Sequence, residues 1–268
     1  MQQSTKFKGY ALSVRGASHE DDGSPCQDSA RVFTAEGFAV AAVSDGHGSE
    51  KHFRSASGSE MATRVAIRSI CDFAERNNGL DGIFRNDPKN AARRIAANII
   101  CGWNNEIAAH IGLFPLNVYE NAICEKHGGI PNEVIYGATL IVAGITENGC
   151  FGLQIGDGSF LALSGGEMFF PVPEDTKLVG NLTTSLCDSN AIDSFRSFYC
   201  EGSVSGVSLS SDGLINSFVN IEDFLKFGKR ILSAVESNTA TALGEHLKMR
   251  SRSGSRDDIS VAAIFVNS

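Results

Sequence analysis

The sequence lacks the features that define several classes of protein. Its seven cysteines form no Cys-x-x-Cys pair and their number is odd, which argues against a zinc ribbon or a disulfide framework and favours a reducing compartment. The first residues contain no apolar signal core. No apolar run approaches the roughly 18 residues that a membrane helix requires, and no Gly-x-x-x-x-Gly-Lys-Ser/Thr loop is present. We therefore expect cytoplasmic localisation and no membrane partner.

Positive charge is also scarce. Lys and Arg number 23 against 31 Asp and Glu, so the formal net charge is −8. Nucleic acids and anionic membranes select basic surfaces, so neither is expected as a partner, whereas an acidic chain suits a cation-binding site. The 268 residues contain no repeat, low-complexity segment or proline-rich linker. We interpret residues 1–268 as a single domain and expect a monomer.

Hydrophobic periodicity predicts blocks of strands separated by helices. The sequence predicts strands at 9–14, 30–34, 38–44, 138–145, 150–155, 160–164, 167–171, 207–211 and 259–266, and helices at 57–74, 88–112, 221–235 and 239–249. A polar loop is predicted at 15–24, a loop with a short helix at 113–135, and an irregular surface flap at about 172–206. Trp103 lies on an apolar helical stripe and is expected in the core. Because most strands are joined by hairpins, this order favours an α+β fold with helices packed on an antiparallel β-sandwich.

One stretch carries the strongest chemical signal. Residues 38–44 are an apolar run without helical period, and it ends in Asp45-Gly46-His47-Gly48. An aspartate at the mouth of a buried strand is poorly solvated, so it needs a proton, a cation or several hydrogen bonds. Glycines let the backbone turn sharply and approach a ligand. The alternative is an ordinary turn in which Asp45 caps the next helix.

Four further acidic positions repeat this context at the ends of predicted core strands: Asp28, Asp157, Asp212 and the pair Asp257-Asp258. If the strand ends gather at one edge of a sandwich, the carboxylates converge and cannot all remain ionised without cations. Oxygen ligands favour Mg²⁺ or Mn²⁺. Two such ions about 3.5–4 Å apart can orient a bridging water for attack on phosphorus. The alternative is that these acids are turn residues and helix caps.

The order of these motifs resembles the metal-dependent serine/threonine protein phosphatases of type 2C, from about Arg15 to Val266. The motifs are Asp45-Gly46-His47-Gly48, Gly137-Ala138-Thr139, Gly156-Asp157-Gly158, Ser211-Asp212-Gly213 and Asp257-Asp258-Ile259-Ser260. Arg15-Gly16-Ala17-Ser18-His19, followed by Gln27-Asp28, is similar to the short bacterial branch. The resemblance implies a four-layer αββα sandwich. It also implies hydrolysis of phosphoserine or phosphothreonine with Mn²⁺ or Mg²⁺, with water as the nucleophile and no covalent phosphoenzyme.

The resemblance also implies roles for individual residues. Asp45 would bridge two metal ions, the Gly46 carbonyl would bind the second, and Asp212 and Asp257 would hold the first. Asp157, with Asp212, matches the support of a weaker third ion in some members. Asp28 matches the acid of the Glu-Asp pair and is expected among the metal ligands. His47 matches a histidine proposed to protonate the leaving oxygen, and its alternative is a structural histidine bonded to backbone.

The sequence departs from the family pattern near its start. Gln27 stands where many members have Glu, which predicts a weaker or water-mediated second metal site. A rival alignment uses Glu20-Asp21 as the pair, but Gln27-Asp28 is preferred because a strand follows it at once. The family's phosphate-binding arginine lies closer to this pair than Arg15 does. Either Arg15 or His19 is expected to bind phosphate, unless both lie in a solvated loop.

Asp258 occupies a position where the family often has Asn, and either a supporting role behind the ligands or no role is expected. The main hypothesis is a phosphoprotein phosphatase, with a bacterial Ser/Thr kinase or its targets as partners in signal transduction. One alternative is a non-catalytic phosphatase-like module that binds phosphoproteins. Another is a metal-dependent hydrolase of small phosphate esters.

Overall fold

Two five-stranded antiparallel sheets lie face to face at the centre of the structure, a computed structural model that describes residues 6–173, 183–202 and 204–267. The first sheet has the order β1-β10-β9-β6-β7, with bounds Phe7–Val14, Ile259–Val266, Gly206–Ser210, Ser159–Ser164 and Glu167–Phe169. The second has the order β2-β3-β4-β5-β8, with bounds Ser29–Thr34, Phe38–Ser44, Leu140–Thr146, Gly149–Ile155 and Arg196–Glu201. All the strand pairs are antiparallel, as the hairpin signals predict.

Helices cover the outer face of each sheet. The helices, in chain order α1 to α10, are Ala17–Asp22, Ser55–Arg76, Asp81–Asn86, Pro88–Leu113, Val118–Lys126, Asn132–Ile135, Ala191–Ser194, Asp212–Ile215, Ile221–Glu236 and Leu243–Ser253. The stripes of α2 and α4 pack on the second sheet, and those of α9 and α10 pack on the first. A further apolar cluster fills the space between the sheets. The expected four-layer αββα sandwich is therefore confirmed.

Three stretches differ from the sequence-based prediction. Residues 15–24 are not a loop throughout, because α1 spans Ala17–Asp22; only its first residue is buried, so no apolar period marks it. The segment 113–135 contains two helices, α5 and α6, and α3 precedes it without having been predicted. The flap prediction over 172–206 is wrong for 196–201, which form the edge strand β8 beside β5. Residues 174–182 and 203 of that prediction lie outside the described residues.

The strand registers bring together, within each sheet, the strand ends that lie next to the acidic residues. Ser29, the first residue of β2, pairs with Ser44, the last of β3. In the other sheet, Val261 of β10 pairs with Ser210, the last residue of β9. Because these pairs are antiparallel, the start of one strand and the end of its neighbour reach the same edge. Within the described ranges, no helix is both long and apolar enough to cross a membrane.

Trp103 lies in the core, as predicted, and fixes the close packing of α4 on α2. Its side chain is fully buried, and its Nε1 donates a hydrogen bond of 2.9 Å to the Gly58 carbonyl oxygen. Gly58 also packs against the backbone of Tyr136, where an added Cβ would lie 1.8 Å from the carbonyl oxygen. A side chain at position 58 cannot fit without backbone movement.

We expect Gly58→Ala to lower the free energy of unfolding by about 1–3 kcal/mol or more, because the methyl group overlaps fixed backbone. Gly112→Ala is the matched control, since it lies in α4 with open space around its Cβ position. There the same change is expected to stabilise by about 0.5–1 kcal/mol. Urea denaturation of both variants measures the difference, and equal midpoints would refute the packing argument.

Candidate active site

Acidic side chains from both sheets meet at the shared edge of the sandwich. Asp28 directly precedes β2 and Asp45 directly follows β3. One residue separates Asp212 from the end of β9, and one residue separates Asp257 from the start of β10. The Ser211 hydroxyl hydrogen-bonds to Asp28, and the carboxyl groups of Asp45 and Asp212 lie within hydrogen-bonding reach. The two sheets therefore contribute to one carboxylate cluster, as their positions at strand ends predict.

Burial and mutual repulsion act on all four carboxyl groups. Burial raises the pKa of Asp28 and of Asp45 well above the usual range, and the neighbouring carboxylates raise both further. Burial also raises the pKa of Asp212 and of Asp257, and Asp157 adds to both effects. Asp257 keeps an exposed side, and Asp157 lies exposed at the rim. The cluster therefore runs from enclosed acids to a solvent-facing edge.

The donor set fits divalent cations. The Oδ2 atom of Asp28 is enclosed and has no hydrogen-bond partner among the described residues. Carboxylate oxygens are the ligands that Mg²⁺ and Mn²⁺ prefer, and a cation would remove the repulsion that raises these pKa values. Across residues 6–173, 183–202 and 204–267, no three His, Cys, Asp or Glu side chains already surround one metal position.

Close backbone packing explains the glycines beside these acids. A Cβ atom at Gly46 would lie 2.6 Å from the Gln27 carbonyl oxygen. At Gly213 it would lie 2.1 Å from the Asp258 carbonyl oxygen. The Asp-Gly pairs in the sequence thus mark points where two strand ends approach too closely for any side chain.

The Gly137-Ala138-Thr139 motif holds the Asp45 loop. Thr139 Oγ1 accepts a hydrogen bond of 3.1 Å from the Asp45 amide, and the Thr139 amide donates one of 2.8 Å to the Asp45 carbonyl oxygen. The His47 amide donates to the Gly137 carbonyl oxygen at 3.0 Å. This motif therefore fixes the backbone on both sides of Gly46.

The His47 side chain lies beside Gly137 of this motif. Its Nε2 lies 2.7 Å from the Oγ of Ser185, and its ring contacts that of His52 with centroids 4.8 Å apart. Burial lowers the pKa of His47 to about 4, and His52 adds to the effect. The imidazole is thus neutral at pH 7. Ser185 was not predicted from the sequence, because no motif contains it and 138 positions separate it from His47.

Arg15 and His19 lie together beside the start of β10. Arg15 Nη2 donates to the His19 carbonyl oxygen, and within the described part of the chain the buried Nε of Arg15 has no hydrogen-bond partner. His19 Nδ1 lies 3.0 Å from Asp258 Oδ1. The intervening Gly16 packs on the Asp257 backbone, where an added Cβ would lie 2.4 Å from the carbonyl carbon. Both predicted phosphate-binding residues are therefore next to the candidate ligand Asp257.

Asp258 anchors this region, which gives it the supporting role that the sequence left open. Its carboxylate is buried and accepts hydrogen bonds of 2.6 Å from the Gly16 and Gln27 amides. These bonds hold the residues next to Arg15 and Asp28 against β10. The rival pair Glu20-Asp21 instead forms ion pairs with Arg252 and Arg256 on the surface. The geometry therefore favours the Gln27-Asp28 alignment.

Comparisons with known proteins agree with this arrangement. The family model for Protein phosphatase 2C matches residues 15–248. No curated protein gives a significant sequence match. Among solved structures, the catalytic domain of the serine/threonine protein phosphatase PstP, in complex with two manganese ions, is 19% identical; 98% of this chain and 99% of that chain are covered, with a TM-score of 0.59.

Two other solved structures share the fold. RsbX in complex with magnesium is 15% identical, with 99% and 98% of the two chains covered and a TM-score of 0.53. PppA, described as a key regulatory component of T6SS in Pseudomonas aeruginosa, is 17% identical, with 97% and 98% covered and a TM-score of 0.57. The fold and the carboxylate edge define a phosphatase-type α+β sandwich. The chain belongs to the protein phosphatase 2C family and is thus a serine/threonine protein phosphatase.

Because the clustered carboxylates repel one another, removing one of them is expected to stabilise the protein when no cation is bound. Without divalent cations, Asp45→Asn is expected to raise the free energy of unfolding by about 0.5–2 kcal/mol, because one buried charge is removed. In the wild type, Mn²⁺ at 100 times its dissociation constant should add about 2.7 kcal/mol, and this gain should largely vanish in the variant. Thermal unfolding with and without Mn²⁺ measures both effects.

The control for this experiment is Asp72→Asn, an exposed acid on α2. It should leave both the stability and the Mn²⁺ response unchanged within about 0.5 kcal/mol. An Mn²⁺ response in Asp45→Asn as large as that in the wild type would contradict the placement of Asp45 among the ligands.

The anchoring role of Asp258 gives a second stability prediction. Asp258→Ala leaves the Gly16 and Gln27 amides without their acceptor, at a cost of about 1–3 kcal/mol for each group. Asp21→Ala, which removes an exposed ion pair between α1 and Arg256, should cost no more than about 1 kcal/mol. Chemical denaturation of the two variants tests this contrast, and a similar loss in both would argue against the anchor.

Proposed function

We propose that this chain hydrolyses phosphoserine and phosphothreonine in proteins, with divalent cations held at the shared edge of the two sheets. The observation that carries the proposal is the convergence of Asp28, Asp45, Asp212 and Asp257 on one edge, in a chain of the protein phosphatase 2C family. No observation favours the non-catalytic binding module or the hydrolase of small esters.

Mn²⁺ or Mg²⁺ is the proposed cofactor, as two ions with a weaker third. The proposed ligands are Asp28, Asp45, the Gly46 carbonyl, Asp212, Asp257 and Asp157. When bound, such cations neutralise the carboxylates and lower the pKa of a water molecule that attacks phosphorus. The manganese and magnesium ions in the PstP and RsbX structures support this choice.

The chain's own residues bind and orient the substrate. Arg15 and His19, held beside Asp257, are the proposed contacts for the phosphate group, because a guanidinium pairs with phosphate oxygens through directed hydrogen bonds. The hydrogen bond from the Gly16 amide to Asp258 holds the segment that carries both residues in place. The carboxylates contribute no binding energy to a phosphate dianion by themselves, so positive groups at the rim are needed to bring it in.

His47 is the proposed proton donor to the leaving oxygen. An alkoxide is a poor leaving group, so its departure requires a proton. Because burial keeps this imidazole neutral at pH 7, it can donate only after a negative charge has raised its pKa. The phosphate dianion of the substrate supplies such a charge, which would link protonation of His47 to substrate binding.

The proposed setting is the cytoplasm, where the substrate is a protein phosphorylated by a Ser/Thr kinase during signal transduction. The kinase itself or its targets are the proposed partners. PppA, described as a regulatory component of a bacterial system, supports a regulatory role for a chain of this fold. We further propose that the chain acts as a monomer.

The function is tested by Mn²⁺-dependent hydrolysis of a phosphothreonine peptide. The wild type should release phosphate, a chelator should abolish the release, and Asp212→Ala should lower kcat/KM at least about 100-fold, because a cation ligand is lost. Asp72→Ala on the surface of α2 is the control and should remain within about 2-fold of the wild type.

The contrary result is a wild-type protein that neither hydrolyses the peptide nor binds Mn²⁺ by calorimetry. The phosphatase mechanism would then be wrong, and a role in binding phosphoproteins would replace it. Hydrolysis that survives the chelator would contradict the proposed cofactor alone.

A further inference from the structure

A buried serine outside the family motifs contacts His47. Ser185 is 2% exposed and its Oγ lies 2.7 Å from His47 Nε2. Its amide donates to Asp188 Oδ2 at 2.9 Å, and the Cys187 amide donates to its Oγ at 3.3 Å. The hydroxyl therefore stands in a fixed turn that ends against the imidazole.

Counting protons determines the direction of these bonds. Ser185 Oγ lies 3.1 Å from the Ala138 carbonyl oxygen, which can only accept. The hydroxyl has one proton and two acceptor sites, and its other neighbour, Cys187 Sγ at 3.2 Å, is only a weak donor or acceptor. If that proton pointed at His47, two oxygens would face each other at 3.1 Å without a proton between them. Both contacts are attractive only if the hydroxyl donates to Ala138 and His47 Nε2–H donates to the hydroxyl.

This arrangement leaves one nitrogen of His47 free for chemistry. A Cβ atom at Gly137 would lie 2.8 Å from His47 Cδ2, so the edge formed by Cδ2 and Nε2 faces Gly137 and Ser185. Nδ1 lies on the other side of the ring. Among the described residues, none forms a hydrogen bond with it.

We propose that Ser185 is a positioning residue, which holds His47 in the Nε2–H tautomer and leaves Nδ1 as the atom that carries the transferred proton. This inference rests on the proposed function of His47 as proton donor. Ser185 itself does not touch the substrate. Its hydroxyl accepts the bond from Nε2–H and donates to the Ala138 carbonyl oxygen, so it holds the ring in this orientation.

Nδ1 acts in the step that releases the threonine oxygen. A water oxygen forms a bond to phosphorus and releases a proton to solvent. The bond between phosphorus and the threonine oxygen breaks, and its electron pair stays on that oxygen. That oxygen takes a proton from Nδ1, which Nδ1 has taken from solvent before the step, and the products are the free hydroxyl, inorganic phosphate and a neutral His47.

The test compares two substrates that differ in their need for a proton donor. The threonine alkoxide requires protonation, whereas p-nitrophenolate is a stable anion and departs without it. Since general acid catalysis is worth roughly 10²–10⁴-fold, Ser185→Ala should lower kcat on a phosphothreonine peptide by about 10-fold or more. Its kcat on p-nitrophenyl phosphate should change by less than about 3-fold. Both assays use the full chain with Mn²⁺.

Two further variants separate positioning from general loosening of the turn. Asp188→Ala removes the acceptor of the Ser185 amide but keeps the hydroxyl, so any loss should be equal for both substrates. In a His47→Ala background, adding Ser185→Ala should cause no further loss on the peptide. An equal loss on both substrates in Ser185→Ala, or an additive loss in the double variant, would overturn the proposal.

The tautomer can be measured without any change at position 185. In wild-type protein with ¹⁵N-labelled histidine and Mg²⁺ at pH 7, the His47 signals, assigned by comparison with His47→Ala, should show a protonated Nε2. A neutral ring with the proton on Nδ1 and none on Nε2 would overturn the proposal even if Ser185→Ala did not fold. A wild type that hydrolyses neither substrate would instead refute the proposed function, and with it this role of Ser185.

Discussion

Repulsion between carboxylates at the edge of the sandwich is the constraint on which the rest of the structure depends. Asp28, Asp45, Asp212 and Asp257 all have raised pKa values because burial and like charge act together. Such a cluster opposes folding in the absence of cations. The three apolar clusters that join the four layers supply the opposing stabilisation. The sandwich thus tolerates at its edge an arrangement that a smaller core would not hold.

Hydrogen bonds then give this edge its geometry. The Asp258 carboxylate connects the start of β10 to the segments before α1 and β2, while the Gly137-Ala138-Thr139 motif fixes the loop after β3. These contacts involve backbone amides, so they position the main chain rather than any one side chain. Ligand side chains that extend from fixed backbone need little reorganisation to bind cations, which is the condition for efficient electrostatic catalysis.

The sequence predicts the parts of this molecule that depend on local pattern. The strands β3, β4 and β10 are buried on both faces and form continuous apolar runs, whereas α2 and α4 carry apolar stripes that face one core, so local pattern reveals all of them. Acids at strand ends predict the carboxylate edge, because antiparallel pairing brings those ends together. The polar helix α1 and the edge strand β8 have little or no apolar period and were missed. The contacts of Asp258 with Gln27 and of Ser185 with His47 span 231 and 138 positions, so no local pattern encodes them.

The pairing of β1 with β10 has a consequence for how the protein is made. β10 is the last strand of the described chain and lies between β1 and β9, and one residue separates it from the candidate ligand Asp257. During synthesis, the earlier strands leave the ribosome long before their partner exists. Contacts of such large sequence separation form slowly, and an unpaired edge is open to association with other chains. The carboxylate edge is therefore complete only after β10 has been synthesised and has paired with β1 and β9.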